Sequence, residues 1–218
     1  MIRLHHCPQT RSMRTFWLLN ELGVPFEVVT HGFDKSLRSD AFLSMSPAGR
    51  VPALEIDGDT MFETGAITEY LCESYPDSAM GRPVGHPERR DWLVWVHFSE
   101  TVSQHSAALT QQHVMLYEDS MRSPIIMKLE AARLKKCYAA LEARLEGRTY
   151  LLDGGFSAAD VSVGQAIYMS RHFARLTEFP ALSAWYDRIS ARPAFQAALP
   201  VDGERLLYAE PFYPAWES

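Results

Sequence analysis

The chain is poor in cysteine. It has three, Cys7, Cys72 and Cys137, in 218 residues. Being odd in number and far apart, they give no disulfide framework and point to a reducing, cytoplasmic setting. Long apolar runs are missing too. None approaches the roughly 18 residues of a membrane span, and the opening MIRLHHCPQT has no signal-peptide apolar core. No membrane partner is expected. Basic charge is in short supply: 21 Lys and Arg stand against 27 Asp and Glu, a net charge of -6. That argues against a nucleic-acid partner, which would need a basic surface. Repeats and low-complexity segments are absent. Zinc-type His/Cys spacing is absent as well. His97, His105 and His113 recur every eight residues, but on a helix that spacing drifts by about 80° per step, so the rings do not converge. No metal is expected.

What is present is enough apolar material, 47 % of residues, for the core of one large or two small domains. Ile2 to His5 alternates as a strand. A helix follows over roughly Ser12 to Leu22, with Gly23 ending it, and Ser12 reads as its N-cap. Phe26 to Val29 is a second strand. Strand, helix, strand at this spacing predicts a parallel βαβ unit. A short helix is expected near Asp40 to Ser44. Then PAGRVPALEIDGDTMFETGAITEY, residues 47–70, reads as turn, strand, turn, strand and helix. Asp57-Gly58 is the hairpin turn, Pro52 withdraws a backbone donor at a strand start, and Thr64 reads as the N-cap of the next helix. A cis bond before Pro52 would turn the Val51 backbone outward.

These residues, Pro47, Gly49, Arg50-Val51-Pro52 and Glu63-Thr64, resemble the glutathione-binding half of the glutathione transferases. The resemblance implies a thioredoxin-like N-terminal domain with a cis bond before Pro52. It implies that Val51 pairs with the cysteinyl backbone of glutathione and that Glu63 and Thr64 hold the γ-glutamyl end. Arg50, with Lys35 as a second candidate, would meet the glycyl carboxylate.

The thiol needs an activating group, and the loop CPQTRSMR is where the family places it. Counting back four positions from Arg14, as the serine-type classes require, gives Thr10. The cysteine-type classes open this loop with Cys-Pro, here Cys7-Pro8, and would run thiol exchange through a mixed disulfide. Thr10 is preferred over Cys7 because the rest of the segment resembles the serine-type bacterial enzymes. Read as a structural residue, Cys7 is a small buried hydrophobe. Ser12 is a third donor in this loop, with the helix N-cap as its preferred reading.

Residues 75–88 carry three prolines and two glycines and read as a linker. The domains are accordingly 1–77, a linker at 78–88, and an all-helical 89–218. The second domain begins with one long helical pattern from Glu88 to about Met115. Another runs from Pro124 toward Gly147. Ser157 and Asp160 have capping-box spacing at the head of a core helix, and shorter helices follow around 182–191 and 193–198. Tyr117, Phe212, Tyr213 and Trp216 are candidates for the wall of an apolar co-substrate site. The expected function is a cytoplasmic, homodimeric glutathione transferase that conjugates glutathione, its co-substrate, to a small apolar electrophile. The alternatives are a glutathione-dependent reductase or peroxidase using Cys7, or a glutathione-binding module without catalysis.

Overall fold

A computed structural model describes residues 1–215. Trp216 lies outside the described residues. The chain forms two compact units. Of the described residues, one comprises Met1–Trp92 with Ala191–Leu207, and the other comprises Leu93–Ser190 with 208–215.

The first unit is built on a four-stranded sheet in the order β2-β1-β3-β4. β1 (Ile2–His6) and β2 (Phe26–Thr30) are parallel, as the intervening helix α1 (Ser12–Leu22) requires. β3 (Ala53–Ile56) is antiparallel to β1, and β4 (Asp59–Phe62) is antiparallel to β3. The hairpin between them turns on Asp57 and Gly58, both at positive φ, as a type I′ turn demands. α2 (Asp40–Met45) and α3 (Thr64–Ser74) complete a thioredoxin-like βαβ–ββα unit.

Helix α1 anchors this unit. Met13, Trp17, Leu18 and Leu19 are buried, and Gly23 ends the helix in the left-handed region at φ 65°. The Trp17 indole N–H donates to Glu21 at 2.9 Å, and Glu21 takes a two-toothed bond from Arg192 at 2.6 and 2.7 Å. The Phe195 ring meets Trp17 edge-on at 4.9 Å. These contacts seat the short helix α8 (Pro193–Gln196) on the sheet-bearing unit.

The second unit is helical. α4 (Arg89–Thr110) ends in one π-helical turn, Gln111–Met115. α5 (Pro124–Leu145) starts on a proline whose missing N–H costs nothing at that position. α6 (Ala158–Ser170) is buried along nearly its whole length. The capping box at its head is formed by Ser157 and Asp160. Asp160 also accepts from the Leu151 N–H at 3.0 Å and the Trp185 indole at 2.9 Å. Through Trp185 it ties α6 to α7 (Pro180–Ser190). Glu142 on α5 caps α7 by accepting from the Ala181 and Leu182 amides at 3.0 and 2.8 Å. Of the three histidines on the α4 pattern, His105 pairs with Glu130 and His113 stacks on Phe173.

Candidate functional site

Strand register brings the candidate segments together. β1 ends at His6, and His5 pairs with Ala53, the first residue of β3. Ala53 in turn pairs with Phe62, the last residue of β4. β2 runs parallel to β1, and the His31 N–H donates to the His6 carbonyl at 2.7 Å. The loop carrying Cys7 and Thr10, the segment leading to Lys35, the Arg50-Val51-Pro52 turn and the Glu63-Thr64 junction therefore all leave one end of the sheet. The N-termini of α1 and α3 open there too, and neither has an acidic residue in its first turn. Both helix dipoles thus favour an anion at this end.

Each segment has its own local cause. The Val51-Pro52 peptide bond is cis. The Val51 side chain packs on the Leu37, Phe42 and Ala53 cluster, and ladder pairing begins only at Ala53. Arg50 is exposed, on a turn tied down by the Ser46 hydroxyl, which donates to the Arg50 carbonyl at 2.7 Å. Gly49 sits at φ 62°, and a Cβ there would lie 2.9 Å from the Leu37 carbonyl, so the turn takes only glycine without shifting. Lys35 is exposed at the start of a 3₁₀ turn capped by Asp34.

The α3 junction differs from the sequence expectation. Thr64 is not the N-cap but the first helical residue, and it is buried. Glu63 occupies the cap position at φ 73°, ψ 111°, a conformation uncommon outside glycine, and its side chain makes no capping bond. A carboxylate not spent on its own helix is left exposed at the helix mouth.

The α1 junction differs as well. Arg11, not Ser12, takes the cap position, and its side chain makes no capping bond. The Ser12 hydroxyl is fully buried beneath the loop. Its Oγ accepts from the Cys7 N–H at 3.0 Å and lies 2.8 Å from both His6 Nδ1 and Thr10 Oγ1. Thr10 Oγ1 donates to the Cys7 carbonyl at 2.8 Å. Thr10 is thus held in the loop by a short chain of hydroxyls that ends on a histidine.

The sheet-bearing part, residues 4–79, matches the family described as Glutathione S-transferase, N-terminal domain, and residues 114–193 match Glutathione S-transferase, C-terminal domain. A probable glutathione S-transferase of Oryza sativa subsp. japonica is 31 % identical over 196 residues, which cover 85 % of this chain and 89 % of the relative. The chain belongs to the glutathione S-transferase family. Glutathione S-transferase 4 of Zea mays is 30 % identical over 83 % of each chain. Among solved structures, a sphingomonad glutathione S-transferase complexed with glutathione superposes with a TM-score of 0.76 at 28 % identity, covering 90 % of this chain and 96 % of that one. Glutathione transfer is therefore the activity, and glutathione the co-substrate.

Within that family assignment, the electrostatics of the loop separate the two thiol-activating candidates. Cys7 is 2 % exposed. Burial, with the carboxylates of Asp34 and Glu204 nearby, pushes its thiol up to about 11. A catalytic thiolate needs the opposite shift. His6 is pulled down to about 4, by burial first and then by His31, so it is neutral at physiological pH.

Sequence reasoning offered Ser12 only as a third donor or a helix cap and did not place His6 beside it. The only available signal was a hydroxyl five residues after Cys7, and it read more simply as a helix cap. In the helical unit, Tyr117 is exposed, Phe212 lies under the Arg175 guanidinium at 4.1 Å, and Tyr213 stands among His113, Phe173 and Tyr208.

Proposed function

We infer that the chain ionises the glutathione thiol with Thr10 as hydrogen-bond donor and transfers the thiolate sulfur to a small apolar electrophile. The observation that carries this reading is the convergence at one sheet end of the Thr10 loop, the cis Val51-Pro52 turn and the mouths of two helices. A tripeptide with two carboxylates, an ammonium and an ionisable thiol matches that set group by group. The Val51 backbone pairs with the cysteinyl unit. The α3 N-terminus at Thr64 receives the γ-glutamyl carboxylate, and Glu63 receives the ammonium. Arg50, with Lys35 beside it in role, answers the glycyl carboxylate. Lowering a thiol pKa by two units needs roughly 2.7 kcal/mol of preference for the thiolate, and a helix N-terminus plus one hydroxyl donor can supply that. Catalysis is then thiolate formation and positioning.

The glutathione-binding role falls to residues 1–77 and the co-substrate wall to the helical residues 89–218, with Tyr117, Phe212 and Tyr213 among its candidates. A homodimer is supported by the apolar side chains left in solvent at the head of α5 and just before it: Tyr117, Met121, Ile125, Ile126 and Leu129. The setting is cytoplasmic, in keeping with three free thiols. The reductase or peroxidase reading through Cys7 loses support, because a buried thiol held near 11 supplies no attacking thiolate.

The test is a calorimetric titration with glutathione followed by a conjugation assay with a chromogenic aryl halide. Binding with thiol turnover supports the transferase. Binding with no turnover toward several electrophiles leaves a non-catalytic glutathione-binding module. Light scattering that gives a stable 24.7 kDa particle at micromolar concentration would remove the dimer.

A further inference from the structure

We propose that His6 and Ser12 are positioning residues that direct the Thr10 hydroxyl at the glutathione sulfur, through the ordered chain His6 Nδ1–H to Ser12 Oγ to Thr10 Oγ1. The inference rests on the reading of Thr10 as the group that meets the thiol, and it adds residues to which that reading assigns no role.

The argument is one of proton accounting. Ser12 Oγ has one proton to give and two lone pairs to fill. One lone pair is filled by the Cys7 N–H at 3.0 Å. Three neighbours remain: His6 Nδ1 at 2.8 Å, Thr10 Oγ1 at 2.8 Å and the Cys7 carbonyl at 3.2 Å. His6 is neutral, so Nδ1 either carries the ring proton or is bare. If Nδ1 is bare, Ser12 spends its proton there. Its second lone pair then competes with any sulfur for the Thr10 proton. If Nδ1 carries the proton, both Ser12 lone pairs are filled by N–H donors. Ser12 then gives its own proton to Thr10, at 2.8 Å a nearer acceptor than the Cys7 carbonyl at 3.2 Å, and the Thr10 proton has no use on Ser12. It rests on the Cys7 carbonyl at 2.8 Å and turns to a thiolate when one arrives.

Only the second pattern makes Thr10 an acceptor from Ser12 and keeps its own proton off Ser12. A hydroxyl that accepts one hydrogen bond also donates a stronger one. The setting favours a fixed arrangement. His6, Ser12 and Thr10 are 3 %, 0 % and 7 % exposed, so water does not compete for these protons. The His6 ring is further held edge-on by Phe16 at 5.2 Å.

Nitrogen NMR of the His6 imidazole in the wild-type protein reads the tautomer directly and needs no variant. The expected result is a protonated Nδ1 and a bare Nε2; the reverse tautomer overturns the proposal. The second measurement is the thiol pKa of bound glutathione, followed by thiolate absorbance. Ser12→Ala is expected to raise it by about one pH unit, roughly ten-fold less thiolate below the inflection, with glutathione affinity unchanged. His6→Asn, whose amide nitrogen reaches the Nδ1 position, should keep the wild-type value. His6→Gln, whose amide reaches toward Nε2, should not. Adding Ser12→Ala to Thr10→Ala should change nothing further, because Ser12 acts through Thr10.

An unshifted pKa in Ser12→Ala would overturn the proposal. A full additional shift in the double variant would do so too, because Ser12 would then meet the sulfur itself. If Thr10→Ala alone leaves the thiol pKa unmoved, it is the reading of Thr10 that fails, and the relay fails with it.

Discussion

The two units reach their structures by different routes. In the sheet-bearing unit, the order is set by backbone events that short sequence signals announce: a cis proline, a glycine at positive φ, a two-residue hairpin turn and two helix starts. In the helical unit, the order comes from buried side-chain bonds between residues far apart in the chain. Asp160 reaches Leu151 and Trp185, Tyr138 meets Ser170, and Glu142 caps α7. A binding site made of backbone tolerates side-chain variation at most positions. A helical core knotted by a few buried polar groups tolerates little at those few. The comparison teaches that damage to glutathione binding and damage to stability should fall in different units.

The largest expected effect is on stability. Asp160→Ala strands the buried donors of Leu151, Ser157 and Trp185. It should cost about 3–5 kcal/mol, read as a lower urea midpoint. Burial raises the Asp160 pKa against the hydrogen bonds that oppose it. The unfolded chain therefore ionises first, and this residue's contribution is full below the ordinary carboxylate range and falls as pH rises through the raised folded value. Asp160→Asn should remove that fall from the pH profile of stability. Loss of glutathione affinity in a still-folded Asp160→Asn would break the separation of the two units.

Thr10→Ala comes next. Removing one donor from the sulfur is expected to cost about 2–4 kcal/mol at most in the transition state, read in kcat/KM, with glutathione affinity little changed. The inflection in the pH–rate profile should move upward, and Thr10→Ser should retain most activity. Glu63→Ala should reverse that pattern. Losing a charge-assisted bond to the ammonium costs roughly 1.5–3 kcal/mol, about ten-fold or more in Kd by calorimetry. Unchanged affinity in a folded variant would take Glu63 out of the site. The smallest effect belongs to the Cys7 thiol. Cys7→Ser should leave conjugation within about two-fold, since a thiol held near 11 is spectator chemistry. A dead Cys7→Ser beside an active Thr10→Ala would move the chemistry to thiol exchange.

Much of the fold could be read in advance because its signals are local. Asp57-Gly58 admits few turns other than the one it makes. Ser157 and Asp160 stand at capping-box spacing and form the box. Pro52 marks the cis bond, and Gly23 and Gly147 each take positive φ just past a helix. The misreadings were at helix starts. Thr64 and Ser12 were expected as caps, because a hydroxyl at the edge of an apolar pattern has capping as its commonest use. Each is instead the first helical residue, with Glu63 and Arg11 pushed into the cap position. Nothing within a few residues of Ser12 shows that His6, on the preceding strand, lies 2.8 Å from its hydroxyl.

The sequence by itself determined the order of strands and helices, the turns, the acidic charge balance and the candidates proposed for glutathione. These follow from periodicity, composition and the φ preferences of glycine and proline, which act over a handful of residues. The tertiary structure decided what those residues can do. It placed four loops at one end of the sheet by strand register, and it laid α8 on α1 through Phe195 on Trp17 and through Arg192, which lies 171 residues from its partner Glu21 in the chain. It also buried Cys7, which pushes its thiol up to about 11. Burial and distant pairing are properties of the packed chain, and a pKa or a hydrogen-bond partner exists only once that packing is complete.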